Sequence, residues 1–179
     1  MKRIKSNLLL IWLYCITCSY NALAGGLKID FPLDCRIGED CFFTNLVAHK
    51  DEAGKSVDFR CRSNTYDGHS GTDIAVKDYN ANIAVLSPVS GEVIGVRNFI
   101  PDKILTTEED KAKVKNLECG NGIAIKHEQY RIQLCHLKQN SVTAKVGQQI
   151  KAGDKVGELG LSGKTFFPHL HFSIKDTES

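Results

Sequence analysis

Two histidines stand one residue apart in FFPHLHFSIK, residues 166–175. In an extended chain successive side chains point to opposite faces, so His169, His171 and Ser173 share one face and Leu170, Phe172 and Ile174 the other. Two adjacent imidazoles can hold a cation or pass a proton, although an isolated HxH also fits a half-exposed edge strand with two solvated side chains. Candidate partners lie far upstream in TYDGHSGTDIAV, where His69 and Asp73 flank Ser70, Gly71 and Thr72. A neutral imidazole and a carboxylate are donors that zinc accepts, and the small residues between them let the chain turn so that both reach one ion. HxxxD alone is a common spacing, and DGHSG also reads as a plain turn. The third element is His136 in YRIQLCHL, which by itself reads as a core histidine. Taken together, four of the six histidines fall in these three segments, while His49 and His127 sit in polar surroundings that read as surface.

The elements that must position these groups are short. Gly, Asp, Asn and Ser punctuate runs with β-branched residues, NIAVLSPV, GEVIGV, GIAIKH, YRIQLCHL, KVGELG and HLHFSI, which is an all-β pattern. One helix is expected over residues 106–117, TTEEDKAKVKNL, with Thr107 as cap and acidic residues in the first turn. It interrupts the strands, so it belongs to a surface insertion from about Asn98 to Glu118, long enough for a functional loop or lid. Residues 50–58, KDEAGKSVD, read as a solvated loop. SPVSGEVIGV and VGQQIKAGDKVGELG resemble the half-motifs of biotinyl and lipoyl carrier domains, which implies a sandwich or barrel of short antiparallel strands built on a duplicated hybrid motif. A carrier would also need a modifiable Lys between hydrophobic neighbours at a hairpin tip, and the tips here do not show it.

At 179 residues the chain suits one domain. Its start, MKRIKSNLLLIWLYCITCSYNALA, has a basic end, an apolar run and Ala22-Leu23-Ala24, the pattern of a secretory signal peptide cleaved after Ala24. The apolar run is short for a membrane span, so the membrane is met only transiently and the product is expected in the periplasm or secreted. The division is then 1–24 signal peptide, 25–65 strands and loops leading in, and 66–179 the domain that carries the motifs. Cleavage takes three of the 23 basic residues and none of the 21 acidic ones, leaving a nearly neutral chain that argues against nucleic acid as a partner. A monomer is expected. Cys35, Cys41, Cys61, Cys119 and Cys135 remain in an oxidising compartment, so disulfides are expected. Cys119 and Cys135 flank the apparent hairpin GIAIKHEQYRIQL and should pair, leaving one further bridge and one odd thiol among the other three. No CxxC spacing is present, which argues against a sulfur-ligated metal.

HxxxD, a later HL after an apolar strand, and a terminal HxHF preceded by GLSGKT and Pro168 together resemble the lysostaphin and LytM type of zinc endopeptidases. The resemblance covers roughly residues 66–175. It implies one Zn²⁺ per chain, bound by His69, Asp73 and His171, with His136 and His169 beside it as catalytic groups, and a peptidoglycan peptide as substrate. Three protein ligands leave the fourth tetrahedral position for water, whose pKa zinc lowers to about 7, and two imidazoles suit the proton transfers of amide hydrolysis. The other readings are a catalytically silent regulator or scaffold of the same fold, a carrier-type module, and a metal-binding protein without catalysis. Leu134 stands where family members often carry Tyr, and Phe167 where Gly usually precedes the Pro. The chain stops at Ser179, so a minimal domain or a truncated product is expected.

Overall fold

The computed structural model describes residues 26–78 and 82–178, so the expected leader and its cleavage point lie outside the described residues. The short β-branched runs are strands. β1 (Cys41–Asn45), β4 (Thr72–Val76), β6 (Gly91–Arg97), β7 (Asn121–His127), β8 (Tyr130–Leu137), β9 (Gln149–Ile150) and β11 (His169–Asp176) form one antiparallel sheet in the order β1-β4-β11-β8-β7-β6-β9. β5 (Ala84–Leu86) and β10 (Lys155–Glu158) pair as a second, smaller layer. β2 (His49–Lys50) and β3 (Ser56–Val57) make a small ladder where only a solvated loop was expected.

The core lies between the two layers. Ile74, Leu170, Leu134, Ile132 and Ile125 from the large sheet meet Val85, Val156 and Leu33 in one buried cluster. β11 shows how the sequence enforces this: Leu170 is wholly buried, Phe172 and Ile174 pack against the same cluster, and His169, His171 and Ser173 take the opposite face. The strand is not an edge, since it is hydrogen-bonded to β4 on one side and β8 on the other.

The insertion carries a helix, α1, over Glu108–Lys113 only, with the Thr107 hydroxyl accepting from the Asp110 N–H at 3.1 Å. It is shorter than the expected 106–117 because EEDKAK has no apolar stripe to bury, and a helix without tertiary packing is marginal at this length. Ile100 and Leu105 anchor the insertion to the body as buried side chains. Disulfides join Cys119 to Cys135, as expected, and Cys35 to Cys41, which leaves Cys61 as the odd thiol.

One irregularity in β8 decides where a site residue goes. Asn121 pairs with Leu137 and Gly122 with Cys135, so His136 is an extra, bulged residue, with φ at +66°. Strict alternation would send His136 to the core side with Leu134. The bulge instead lets Cys135 and His136 both face outward and returns Leu137 to the core. The left-handed backbone costs an L-residue about 1–2 kcal/mol, and its hydrogen bonds are met outside the ladder: His136 N–H donates to the Cys119 carbonyl at 2.8 Å and its carbonyl accepts from Gly160 N–H at 2.9 Å.

A buried polar knot holds this region together. The Asn121 amide accepts from Ile100 N–H at 2.7 Å and donates to the Ile100 and Leu137 carbonyls at 2.7 and 3.2 Å. The Ser162 hydroxyl accepts from Asn121 N–H at 2.8 Å and donates to the Leu137 carbonyl at 2.6 Å. Insertion, bulge and the 160–165 segment thus meet at one fully buried asparagine. Asn121→Ala should cost about 3 kcal/mol, because backbone partners are left buried and unpaired; urea unfolding measures it, and a loss below about 1 kcal/mol would show that the knot does not hold these segments.

Candidate metal centre

β4 and β11 set the central pair. Asp73 is the direct cross-strand partner of His171, so their side chains rise on one face. Asp73 Oδ1 lies 2.9 Å from His171 Nδ1. His69 enters from the turn before β4, with its Nε2 at 3.1 Å from Asp73 Oδ1 and 3.2 Å from His171 Nδ1. The turn needs Gly71, because a Cβ there would stand 2.7 Å from the His171 ring. A tetrahedral zinc with bonds of about 2.0–2.1 Å requires donor atoms roughly 3.3 Å apart, which is close to the separations of this triad. Its three members are a group that could hold a metal ion.

The donor chemistry points the same way. His69 Nδ1–H donates to the Leu46 carbonyl at 2.8 Å, which leaves Nε2 as a lone pair facing a carboxylate oxygen. Two acceptors at hydrogen-bond distance repel unless a proton or a cation lies between them. On the far side of Asp73, the Asn45 amide of β1 donates to Oδ2 at 3.0 Å, which orients the carboxylate.

His136 and His169 stand beside the triad rather than in it. His136 Nδ1–H donates to the Ser162 carbonyl at 2.8 Å, and His169 Nδ1–H to the Phe167 carbonyl at 3.0 Å, with the Thr165 hydroxyl 3.1 Å away. Their ring centroids are 4.7 Å apart, and His169 Nε2 is 3.6 Å from Asp73 Oδ1. In both rings the carbonyl accepts a hydrogen bond from Nδ1–H and so keeps the proton on Nδ1, which leaves the other nitrogen free to accept one. His171 is the most open member of the triad, with 18% of its side chain exposed where Asp73 has 3%. It faces a groove of about 780 Å³ that also reaches Tyr66, Phe166, Phe167 and Gln133.

Burial governs the charge of these groups. It pushes the His136 imidazole down to about 3, helped by the neighbouring His169 and opposed by the Ser162 carbonyl. His169 is lowered too, by burial first, against the pull of Asp73. For Asp73 burial works upward, but the His171 bond, the nearby His169 and the Asn45 amide outweigh it and hold the carboxyl well below its usual range.

All five histidine and aspartate positions singled out in the sequence meet at this one site. Of the supporting groups, Ser162 and Thr165 fall in the GLSGKT stretch that carries the resemblance, which assigns them no role, whereas Asn45 and the Leu46 and Phe167 carbonyls carry no signal of type or spacing. Leu134 lies in the core on the other face, so that departure from the family pattern does not touch the site. Phe167 does, with its ring stacked 4.6 Å from His169.

Residues 67–179 match the description "Peptidase family M23". The peptidoglycan DD-endopeptidase ShyB of Vibrio cholerae is 31% identical over 107 residues, covering 59% of this chain and 20% of that protein. The chain therefore spans about a fifth of the length of this curated relative. Among solved structures, a SpoIIIAH and SpoIIQ complex matches with a TM-score of 0.56 at 17% identity, over 83% of this chain and 92% of that one. Csd3 of Helicobacter pylori matches with a TM-score of 0.50 at 19% identity, over 86% and 31%. At these identities the structural matches speak for the fold alone.

The buried neutral histidines make stability depend on pH in a definite direction. Below an ordinary histidine pKa of about 6.5 the unfolded chain takes up protons that His136 and His169 refuse in the fold, so stability is complete above about pH 6.5 and falls as the pH drops. Asp73 acts in a lower window, its contribution present above about pH 4 and lost below it. Chelator-treated protein should lose about 1.4 kcal/mol per pH unit on account of His136 between pH 6 and pH 5, with His169 adding to the loss in the same direction. Urea unfolding across that range checks this, with a shallower slope expected for His136→Gln; equal slopes would show that His136 is not held neutral.

Proposed function

The chain belongs to peptidase family M23, and on that footing we propose that it is an exported zinc metalloendopeptidase that hydrolyses peptide bonds in the stem peptides or cross-links of peptidoglycan. One observation carries the reading: His69 Nε2, Asp73 Oδ1 and His171 Nδ1 converge within 3.2 Å of one another beside two further imidazoles, and the set opens on a groove. His69, Asp73 and His171 would hold one Zn²⁺ per chain. When bound, zinc supplies Lewis-acid polarisation of the scissile carbonyl and makes a water more acidic.

The chain's own residues do the rest. Asn45 and the Leu46 carbonyl hold Asp73 and His69 at the angles that keep their donor atoms together. The Ser162 and Phe167 carbonyls fix the tautomers of His136 and His169, so each presents an Nε2 lone pair and acts first as a proton acceptor. Once protonated at Nε2, the same imidazole can donate to the oxyanion or to the leaving amine. Burial keeps both rings neutral at physiological pH and so ready for the first step.

Substrate and location follow from a relative and from the cysteines. The name of the Vibrio cholerae relative points to peptidoglycan, and two disulfides suit an oxidising compartment such as the periplasm. A signal peptide over residues 1–24, cleaved after Ala24, completes this reading. Of the expected division into 25–65 and 66–179, we propose that both parts form one working unit, because β1 is part of the main sheet and the segment before residue 66 supplies Asn45 and Leu46 to the site.

Two measurements test the proposal. Metal analysis should find one zinc per native chain, with loss in Asp73→Ala and His171→Ala and retention in His136→Ala and His169→Ala; full zinc in the first two would overturn the ligand assignment. Product masses from purified peptidoglycan should show peptide-bond cleavage by the native protein, none after chelation, and a fall of at least about 100-fold in His136→Ala and His169→Ala. Unchanged rates in those zinc-loaded variants would reject their catalytic role. A zinc-loaded native protein without hydrolysis would favour the silent regulator.

A further inference from the structure

The site face of the large sheet does not end at the metal centre. His171 is followed on the same face of β11 by Ser173 and Lys175, and the groove that holds the triad is lined as far as Lys175. Cross-strand register carries this pattern sideways. Ser173 lies opposite Gln133, and Gln133 opposite Ala124, so the next row beyond the metal centre is a floor of small or uncharged side chains. Lys175 lies opposite Arg131, and Arg131 opposite Lys126, so the row after that places three cations side by side on adjacent strands. All three are exposed. Lys175 is four residues from His171, a distance of about 13 Å along a strand.

Like charges directly opposite one another in a sheet repel and destabilise it. Here the repulsion is not relieved internally: none of the three forms an ion pair with a described residue. The nearest acidic position by register is Glu92, opposite Lys126 at the far end of the row. Nearer the centre the groove wall carries Lys164 and Lys111, the latter paired with Glu108, together with the carboxylates of Glu118 and Asp73. The unpaired positive charge is thus concentrated at the Lys175 end, which favours an anionic occupant there.

We infer that Lys126, Arg131 and Lys175 form an anion-recognition subsite that takes carboxylates of the substrate peptide about 13 Å from the bond cleaved, so that wall peptides with free carboxylates are bound in preference to the same peptides amidated. The inference rests on the peptidase reading for the identity of the ligand. An extended peptide seated with its scissile bond at the triad would run over the Ser173 and Gln133 floor, which offers no bulky side chain to obstruct it, and bring its carboxylates to the basic row.

The test uses cross-linked peptides released from purified peptidoglycan, with carboxylates free or converted to amides. Binding is measured by titration calorimetry with chelator-treated full chain, so that turnover does not enter, and kcat and KM are measured with the zinc-loaded protein. Native protein should bind the free-carboxylate peptide about tenfold more tightly at low salt, as three exposed pairs at about a factor of two each would give, and added salt should narrow the difference. Lys126→Gln/Arg131→Gln/Lys175→Gln should bind both peptides alike and show a raised KM with unchanged kcat; Lys175→Gln alone should show part of the effect if the triple variant folds poorly. Equal binding of both peptides by native protein, or a preference that survives in the triple variant, would overturn the inference. If the triple variant loses affinity for whole peptidoglycan while native protein treats the two peptides alike, the row holds another wall anion and the assignment to the peptide is wrong. Absence of turnover in the native protein would count against the peptidase reading alone, because the binding arm still decides the subsite.

Discussion

Asp73 and His171 face each other across the ladder between β4 and β11, and almost everything at the site depends on that register. A shift of one residue in either strand would turn one of the pair into the core, because side-chain direction alternates with period two. The register is held from the other face by apolar packing, where Ile74 pairs with Leu170 and both are buried. The hydrophobic core therefore aligns the polar site through the sheet. Burial of aliphatic side chains is non-directional, but through the pleat it fixes which carboxylate meets which imidazole.

The rest of the site is assembled around that pair by departures from regular structure. Gly71 allows the turn that brings His69 in. The bulge in β8 turns His136 outward at a backbone angle that a strand would not adopt. Local strain of this kind persists only where the surroundings over-determine it. Here the Cys119–Cys135 disulfide, the Asn121 and Ser162 knot and the hydrogen bond that Ser162's carbonyl accepts from His136 all converge within a few residues of the bulge. The insertion contributes through the same knot by way of Ile100, and its helix brings Lys111 over the Phe166 ring at 6.0 Å to form part of the groove wall.

Electrostatically the centre is a cluster of acceptors in a largely buried place. Backbone carbonyls of Leu46, Ser162 and Phe167 each accept a hydrogen bond from one imidazole Nδ1–H, and this single device sets the tautomer of three histidines from three different segments. Lone pairs are thereby directed at one another around the Asp73 carboxylate. Such an arrangement is unfavourable for a chain alone and favourable around a small divalent cation. Farther along the same face, the row of Lys126, Arg131 and Lys175 is a second place where like charges are brought together and opposite charge would relieve them.

What the sequence determined was local. The HxH pair shares a face because backbone stereochemistry alternates side chains, and that is true of any extended strand. HxxxD could be recognised because small residues between two donors permit a turn, Thr107 because a hydroxyl before acidic residues caps a helix, and Cys119 with Cys135 because a short hairpin brings its ends together. The tertiary structure decided whatever depended on contacts between distant segments. β11 is a central strand and not an edge, since β4 and β8 close on both of its sides. His136 is an outward-facing site residue and not a core one, since the pairing of β7 with β8 leaves it unmatched. The groups that orient the site are an amide on β1 and three backbone carbonyls, and a carbonyl is present at every position of every sequence, so no residue type could mark them. His171 and Asp73 are separated by 98 residues, and only the global packing of the two layers brings them to one register.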